Sequence, residues 1–121
     1  MPTNIKIISA HEFIKAEPEG QLDLEKCKIA LAEIADVSAP TFDYEIILDT
    51  RKAQVSLSIA DLWYLAAELS KLGKPFSRKT AIVCPPQGFD NAGFLALCAQ
   101  NRGVQVKVLT SFDDAIDWLF E

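Results

Sequence analysis

The sequence predicts an α/β fold with a mainly parallel sheet, and three features of the chain indicate this. Ile46, Ile47 and Leu48 form a continuous apolar run, which is typical of a strand buried on both faces. A second apolar run, at 80–84, has the same character. Helical periodicity follows each run, as expected for parallel strands joined by right-handed crossover helices. The first run is expected to be the central strand. In open α/β sheets, ligands and partners bind at the carboxyl ends of such strands. The residues at that end of the central strand are Asp49 to Arg51.

The N-terminal part of the chain is expected to form a β-hairpin followed by a helix. Residues 4–9 and 12–16 fit two short strands, and the segment 17–20 is expected to break the chain. Asp23 can accept hydrogen bonds from the first free amides of a helix that runs to about Asp36. The apolar positions at helical spacing are Leu24, Cys27, Leu31 and Ile34.

A second helix is expected after the central strand. Ser58, with Asp61 three residues later, approximates a capping box. Gly73 supplies a left-handed closing residue, and Pro75 blocks continuation of the helix. The next buried strand is expected at 80–84, ended by the two prolines that follow. One face of the helix is expected to bury Ile59, Leu62, Leu65, Leu69 and Leu72.

The last third of the chain predicts helix, strand and helix. The third helix begins at Asp90 and stops at Gly103. Residues 104–109 alternate apolar with polar, which favours a strand with one solvent-exposed face near a sheet edge. A last helix starts at Thr110 or Ser111 and is expected to place inward Phe112, Ala115, Ile116, Leu119 and Phe120. The predicted order is β-β-α-β-α-β-α-β-α, with all 121 residues in one domain.

Composition excludes several classes of function. A net charge of -5 and a pI near 4.8 argue against nucleic-acid binding, which needs clustered cations. No apolar run approaches the roughly 18 residues of a membrane span, and the N-terminus does not resemble a signal peptide, so a cytoplasmic protein is expected. Cys27, Cys84 and Cys98 lie among aliphatic residues and are expected to be buried, reduced thiols. With His11 as the single histidine, neither a metal nor a cofactor is expected.

Three stretches carry a family resemblance. They are Gly20-Gln21-Leu22-Asp23 at a helix start, Asp49-Thr50-Arg51 at a strand end, and the closing segment from Gly103 to Leu119. Together they resemble the SpoIIAA-like proteins, relatives of the STAS domain, over nearly the whole chain. The resemblance implies a four-turn βα superhelix with a mainly parallel sheet and a non-enzymatic role in binding or regulation. Some relatives have been grouped by fold with CRAL-TRIO lipid carriers, which leaves an apolar ligand open.

Ser58 is the strongest single candidate for a functional residue. In anti-sigma-factor antagonists of the STAS type, an Asp-Ser-x-Gly motif after the central strand carries a serine that a partner kinase phosphorylates. The comparable residues here are Leu57-Ser58-Ile59-Ala60, which keep the serine without the aspartate and the glycine. A phosphate on Ser58 would lie at a helix N-terminus, where free amides and the helix dipole stabilise it. The alternative is an ordinary helix cap paired with Asp61.

Other candidate residues lie at the same end of the predicted sheet. Asp49 and Arg51 could orient an anion or a partner carboxylate, or they could pair with each other and the loop backbone. Gln87 lies in a Pro-Pro-Gln-Gly turn that either admits a ligand or leads rigidly into the next helix. No histidine lies near a serine or cysteine in a recognised catalytic pattern, and Cys84 would be reactive only if exposed. The sequence therefore favours a protein that is not an enzyme.

Two predicted helices carry more apolar surface than one core stripe needs. Segments 62–67 and 92–99 are apolar almost all round, which indicates burial on both sides or an exposed patch. Trp63, Tyr64 and Phe94 are of types enriched at interface centres, although Trp63 and Tyr64 could simply cover the sheet margin. The first hypothesis is a STAS-like regulatory or protein-interaction module, expected to form a homodimer. The second is a small carrier of an apolar or lipid-like ligand held between helices.

Overall fold

The structure is a computed structural model that describes residues 5–10, 13–38 and 44–121. The strands are β1 (Ile5–Ala10), β2 (Phe13–Pro18), β3 (Gly20–Leu22), β4 (Glu45–Asp49), β5 (Ala53–Val55), β6 (Thr80–Val83) and β7 (Val106–Leu109). The α-helices are α1 (Leu24–Ser38), α2 (Ile59–Leu72), α3 (Phe89–Gln100) and α4 (Phe112–Leu119). Short 3-10 helices lie at Lys74–Phe76 and Pro86–Gly88. The predicted element order is present, with β3 and β5 as two short additions.

Five strands form one sheet in the order β1-β2-β4-β6-β7. β1 and β2 pair antiparallel, which confirms the predicted hairpin, and the other neighbouring strands pair parallel. β4 is the central strand and β7 lies at an edge, as the sequence predicts. The α/β class with a mainly parallel sheet is therefore confirmed. Asn4, His11, Glu12 and Asp43, which the sequence places in or beside strands, lie outside the described residues.

Helices cover both faces of the sheet. Side chains alternate along a strand, so Ile46 of β4 and Ile82 of β6 join a core with α1, α2 and α3. Ile47 and Val83 lie on the opposite face and pack with Ala115 of α4 and its neighbours. Each central strand is thus buried on both sides, which explains its continuous apolar sequence.

The helix ends follow local capping chemistry. The Ser58 hydroxyl accepts from the Asp61 amide at 3.1 Å, and the Ser58 amide donates to the Asp61 carboxylate at 3.0 Å. This reciprocal pair confirms the predicted capping box. Gly73 ends α2 with a φ of 69°, a backbone conformation that glycine adopts without steric cost. Asp23 caps α1 as predicted, since its carboxylate accepts from the Lys26 amide at 3.0 Å.

The segment after the hairpin differs from the prediction. Residues 17–20 do not break the chain, because β2 continues to Pro18 and β3 begins at Gly20. β3 pairs parallel with β5 in a separate two-stranded ribbon. A strand of three residues has too little sequence pattern to be recognised, and this one is fixed by a partner more than thirty residues away in the chain.

Two residues predicted to face inward are exposed. Ile59 is 59% exposed and Phe120 is 45% exposed. Successive helical residues turn by about 100°, so Ile59 lies at the margin of the stripe formed by Leu62, Leu65 and Leu69. Phe120 follows the last residue of α4 and leaves the helical period, and its ring lies edge-on to Phe13 with the centroids 6.1 Å apart.

Truncation of the core on the α4 face tests this burial pattern. Ile47→Ala removes a fully buried side chain, and we expect the free energy of unfolding to fall by about 2–5 kcal/mol. Ile59→Ala is the matched control and should change it by about 0.5 kcal/mol or less. Urea unfolding followed by circular dichroism measures both. Equal losses in the two variants would contradict the assignment of these faces.

Candidate functional site

The carboxyl ends of β4 and β6 are joined by Thr50. Its amide donates to the Val83 carbonyl at 2.7 Å, and its hydroxyl donates to the same oxygen at 3.1 Å. The chain leaving the central strand is therefore fixed to its neighbour. Alternation along β4 then places Asp49 on the α4 face and Thr50 on the face of α1, α2 and α3.

Asp49 and Arg51 pair with each other. The guanidinium donates to both carboxylate oxygens, at 3.0 Å and 2.8 Å, and the Arg51 amide donates to the first of them at 3.1 Å. Asp49 is only 3% exposed. Its burial raises the pKa of this carboxyl, but the hydrogen bonds from Arg51 outweigh that effect and lower the pKa overall. The carboxylate therefore stays ionised and paired with Arg51, which is one of the two alternatives that the sequence left open for these residues. A role in orienting an anion stays a prediction.

Lys15 joins this pair to Glu17, and Lys52 pairs with Glu17 as well. The Glu17 carboxylate contacts the Lys52 ammonium at 2.7 Å and the Lys15 ammonium at 3.1 Å. Lys15 also lies 4.0 Å from the Asp49 carboxylate. Hydrogen bonds from Lys52 and Lys15 lower the pKa of Glu17 from its ordinary value of 4.5 to about 2. We call these five residues the ionic cluster.

The ionic cluster lies on the α4 face. The Lys15 ammonium is 4.8 Å from the centroid of the Phe112 ring, at the start of α4. Sequence analysis missed Lys15, Glu17 and Lys52, because their meeting depends on the pairing of β2 with β4, which the local pattern does not reveal. Asp49 and Arg51 consequently lie on the other side of the sheet from α2.

Trp63 and Tyr64 lie on the outer surface of α2. They are 53% and 40% exposed, and with Ile59 they form what we call the α2 ridge. A cation contacts each ring: the Arg102 guanidinium lies 5.0 Å from the Trp63 centroid, and the Lys28 ammonium lies 5.1 Å from the Tyr64 centroid. Ser58 is exposed and caps the end of the helix where this ridge begins. The structure thus brings Ser58, Trp63 and Tyr64 together, apart from Asp49 and Arg51. Phe94, the third aromatic of the prediction, is half-buried on α3.

An apolar cavity of about 390 Å³ lies between the sheet and the three helices of one face. Gln87 lines it, together with Thr50 and Cys84. The exposed residues of its lining mark the mouth, and they come from β5, the Pro86–Gly88 turn and the start of α3: Gln54, Val55, Gln87 and Asn91. We call this space the helix-sheet cavity. Gln87 is the one predicted site residue that lies at it.

The three cysteines are free thiols. Cys84 is buried, and burial raises its pKa. Cys27 is half-buried, and its pKa rises to about 11, first through burial and then through the charges of Asp23 and Asp61. A raised pKa disfavours the thiolate, so the condition under which Cys84 would be reactive is not met. Within the described ranges no group of three or more histidine, cysteine or acidic side chains could hold a metal ion.

Comparison with solved structures identifies the fold. An uncharacterized protein of the DUF3478 family with a SpoIIAA-like fold, from Shewanella loihica PV-4, aligns over 98% of this chain and 94% of its own, with 20% identity and a TM-score of 0.62. An anti-sigma factor antagonist from Mycobacterium paratuberculosis aligns over the same shares, with 17% identity and a TM-score of 0.69. The chain therefore has the SpoIIAA-like fold that the sequence resemblance implied. No protein-family model matches the sequence, and no curated protein matches it significantly.

The helices of the described residues contain at most 15 residues. None of them is both long and apolar enough to cross a bilayer.

The ionic cluster predicts a specific pH dependence of stability. In the unfolded chain Glu17 takes up a proton near its ordinary pKa of 4.5, whereas in the folded protein it does so near 2. Its contribution is therefore complete above about pH 4.5 and is lost as the pH falls toward 2. Glu17→Gln should lower the free energy of unfolding at pH 7 and flatten its decline between these values, as measured by urea unfolding at each pH.

Asp36→Asn, which changes an exposed carboxylate on α1, is the control for this test. It should leave the wild-type decline intact. If Glu17→Gln and wild type lost stability in parallel through this range, the ionic cluster would not hold Glu17 ionised.

Proposed function

We propose that this protein is a non-enzymatic regulatory module that binds a protein partner through the α2 ridge. The observation that carries the proposal is the exposure of Ile59, Trp63 and Tyr64 on one helix. Large exposed apolar side chains of this kind are typical of binding surfaces, and tryptophan and tyrosine are enriched among the residues that contribute most to affinity. The shared fold with an anti-sigma factor antagonist supports a role in protein contact.

The charges beside the ridge indicate the chemistry of the partner. Lys28 and Arg102 lie against the two rings, at opposite sides of α2, and Arg102 is exposed. The Lys28 ammonium also lies 3.6 Å from the Glu25 carboxylate, so Arg102 is the cation that is offered to a partner carboxylate. Complementary charges at an interface favour specific association. We therefore propose a partner whose contact surface has an apolar centre and acidic residues around it. The homodimer and the cytoplasmic location stay predictions from the sequence.

Ser58 is proposed as the place where this contact is regulated. Its exposed hydroxyl lies at the N-terminus of α2, next to Ile59 of the ridge. Phosphorylation would add about two negative charges there. The phosphate would gain from the helix dipole but would meet the Asp61 carboxylate, which now accepts from the Ser58 amide. Added negative charge at this point would also repel an acidic partner, so phosphorylation is expected to release the contact.

The helix-sheet cavity favours a second candidate function. Its volume of about 390 Å³ is within the range of roughly 300–1,000 Å³ that small-molecule sites occupy. Its lining is chiefly aliphatic. The helices that contribute to it are α1, α2 and α3, on the same face of the sheet as the α2 ridge. This supports the alternative role of a small carrier or sensor for an apolar ligand.

A negative charge introduced on the α2 ridge tests the first proposal. A photo-crosslinking amino acid at position 64, expressed in the protein's own host, should trap a partner with an acidic surface that mass spectrometry identifies. Trp63→Glu should then weaken binding of that purified partner by about 30-fold or more, the effect of losing one strongly contributing aromatic residue. Isothermal titration calorimetry gives the affinities.

Phe120→Glu is the matched control, because Phe120 is similarly exposed but follows α4 on the other face of the sheet. It should change the affinity by about twofold or less. If no protein crosslinks at position 64, or if both variants bind the partner like wild type, the ridge is not a contact surface.

Two substitutions at Ser58 separate charge from capping. Ser58→Ala removes the cap and should lower the free energy of unfolding by about 1 kcal/mol, with little change in partner affinity. Ser58→Glu removes the same hydroxyl and adds a charge, so we expect partner binding about fivefold weaker than in Ser58→Ala, the equivalent of one surface charge pair. Equal affinities of the two variants would contradict regulation by charge at this position.

A further inference from the structure

The outer face of α3 exposes two large apolar side chains with a glycine between them. Phe89 is 44% exposed and Leu97 is 55% exposed. Residues four apart in a helix lie on one face, so Gly93 lies between them, about 6 Å along the helix axis from each. Other positions of α3, among them Ala96 and Ala99, join the core. We call Phe89, Gly93 and Leu97 the α3 stripe.

Nothing in the described chain accounts for a glycine at position 93. A glycine inside a helix lowers the folding equilibrium constant by about fivefold relative to alanine. The glycines with a positive φ are Gly20, Gly73 and Gly103, so the backbone at Gly93 does not require glycine. Apart from its chain neighbours and the backbone of its own helix, no described atom lies within 4 Å of the place that a Cβ would take. The α3 stripe therefore has an open notch at its centre, where another backbone can approach closely.

The α3 stripe faces the β7 edge of the sheet. Gln100 lies seven residues after Gly93, which is about two turns and the same side of the helix. Its side-chain amide donates to the Val106 carbonyl of the edge strand β7 at 2.7 Å. This bond occupies a carbonyl at the strand edge, which disfavours the addition of a further strand. Contact on this side of the molecule is therefore expected through the helix.

The α3 stripe is complementary to a second copy of itself. When two α3 helices pack antiparallel and cross at Gly93, residues equally far before and after the glycine face each other. Phe89 then meets the partner's Leu97, and Leu97 meets the partner's Phe89. A two-fold dimer requires such a self-complementary contact, in which each pair of residues occurs twice.

The charges of α3 favour the antiparallel orientation. Asp90 lies in the first turn of the helix, and Arg102 follows its last turn; both are exposed. Antiparallel packing places the acidic end of each helix beside the end of its partner that Arg102 follows, whereas parallel packing would place like charges together. The α3 stripe between these ends has no charge, and charged residues are depleted at the centres of interfaces.

We propose that two copies of this protein form a two-fold dimer in which the α3 stripes pack antiparallel around Gly93. The dimer leaves the α2 ridge to a different protein. Helix α3 has 12 residues and is about 18 Å long. Stable interfaces bury about 1,200–2,000 Å² in total, which is more than two such helices supply. The dimer is therefore reversible, with a Kd expected in the micromolar range.

Sedimentation velocity of the full chain over a range of about 5–500 µM tests the proposal, and we expect monomer and dimer in exchange. Leu97→Glu should weaken the dimer by about 30-fold or more, because it places an unpaired charge against the partner's Phe89. Trp63→Glu is the matched control, since it adds the same charge at a similarly exposed position on α2. It should change the Kd of the dimer by about twofold or less. Circular dichroism checks the folding of each variant.

Gly93→Ala separates the contact from folding. In one copy the added methyl group enters open space, so the folding equilibrium constant of dilute protein, measured by urea unfolding, should rise by about fivefold. In the dimer two such groups meet where the helices cross, and we expect association to be about tenfold weaker or more. A variant that gains stability while its association stays unchanged would overturn the proposal.

A mixture of Phe89→Lys and Leu97→Glu tests the antiparallel register. Each variant alone should be chiefly monomeric. In the mixed dimer the introduced lysine faces the introduced glutamate, and the remaining Leu97 faces the remaining Phe89. Native mass spectrometry should therefore show the heterodimer. A mixture that stays monomeric would show that these positions do not face each other, and the proposal would fail.

Two results in the sedimentation experiment would also overturn the proposal. One is a wild-type protein that stays monomeric at the highest concentration. The other is a dimer that Trp63→Glu disrupts and Leu97→Glu does not, which would assign self-association to the α2 ridge. The contact between the α2 ridge and another protein is judged separately, because Leu97→Glu should bind the crosslinked partner like wild type.

Discussion

The position of β4 between two parallel partners is the constraint on which the rest of this structure depends. Its backbone is hydrogen-bonded on both sides, to β2 and to β6, so its register is fixed. Because side chains alternate strictly along a strand, this register sends Ile46 and Thr50 to one face and Ile47 and Asp49 to the other. Asp49 and Thr50, which are neighbours at the predicted functional edge, therefore lie on different faces of the sheet. A function at Asp49 is for the same reason separate from a function at Ser58.

The two faces consequently differ in chemistry. On the α4 face, the ionic cluster satisfies its own charges: Asp49 takes three hydrogen bonds from Arg51, and Glu17 contacts two lysines. Such a closed arrangement stabilises the strand ends and leaves little free charge for a ligand. On the other face, α2 presents aromatic rings with cations lying on them. That surface keeps apolar area available, with Arg102 beside it, although Lys28 is also paired with Glu25 at 3.6 Å. The proposed contact is assigned to it for this reason.

The helix-sheet cavity departs from the close packing found elsewhere in the core. Protein interiors normally contain few voids larger than a water molecule, and buried hydroxyls are normally paired. The cavity departs from the first rule, and the hydroxyl of Thr80, a residue of its lining, departs from the second. Local departures of this kind are most often found at functional sites, because a gap and an unpaired group lower stability unless something else occupies them. The β3–β5 ribbon supplies Leu22 and Val55 to the lining, so an element of only three-residue strands helps to shape the mouth.

The sequence by itself determined the fold class, the hairpin, the central strand and the caps of the helices, because each depends on local periodicity or on a residue three or four positions away. Ser58 with Asp61 and Gly73 are examples, and each occupies its predicted role. Only the tertiary structure decided which candidates meet. The ionic cluster requires the β2–β4 register, the ribbon requires a distant partner, and the cavity with its unpaired Thr80 hydroxyl arises where three helices meet the sheet. These features depend on contacts between residues far apart in the chain, and one sequence read locally carries no signal for them.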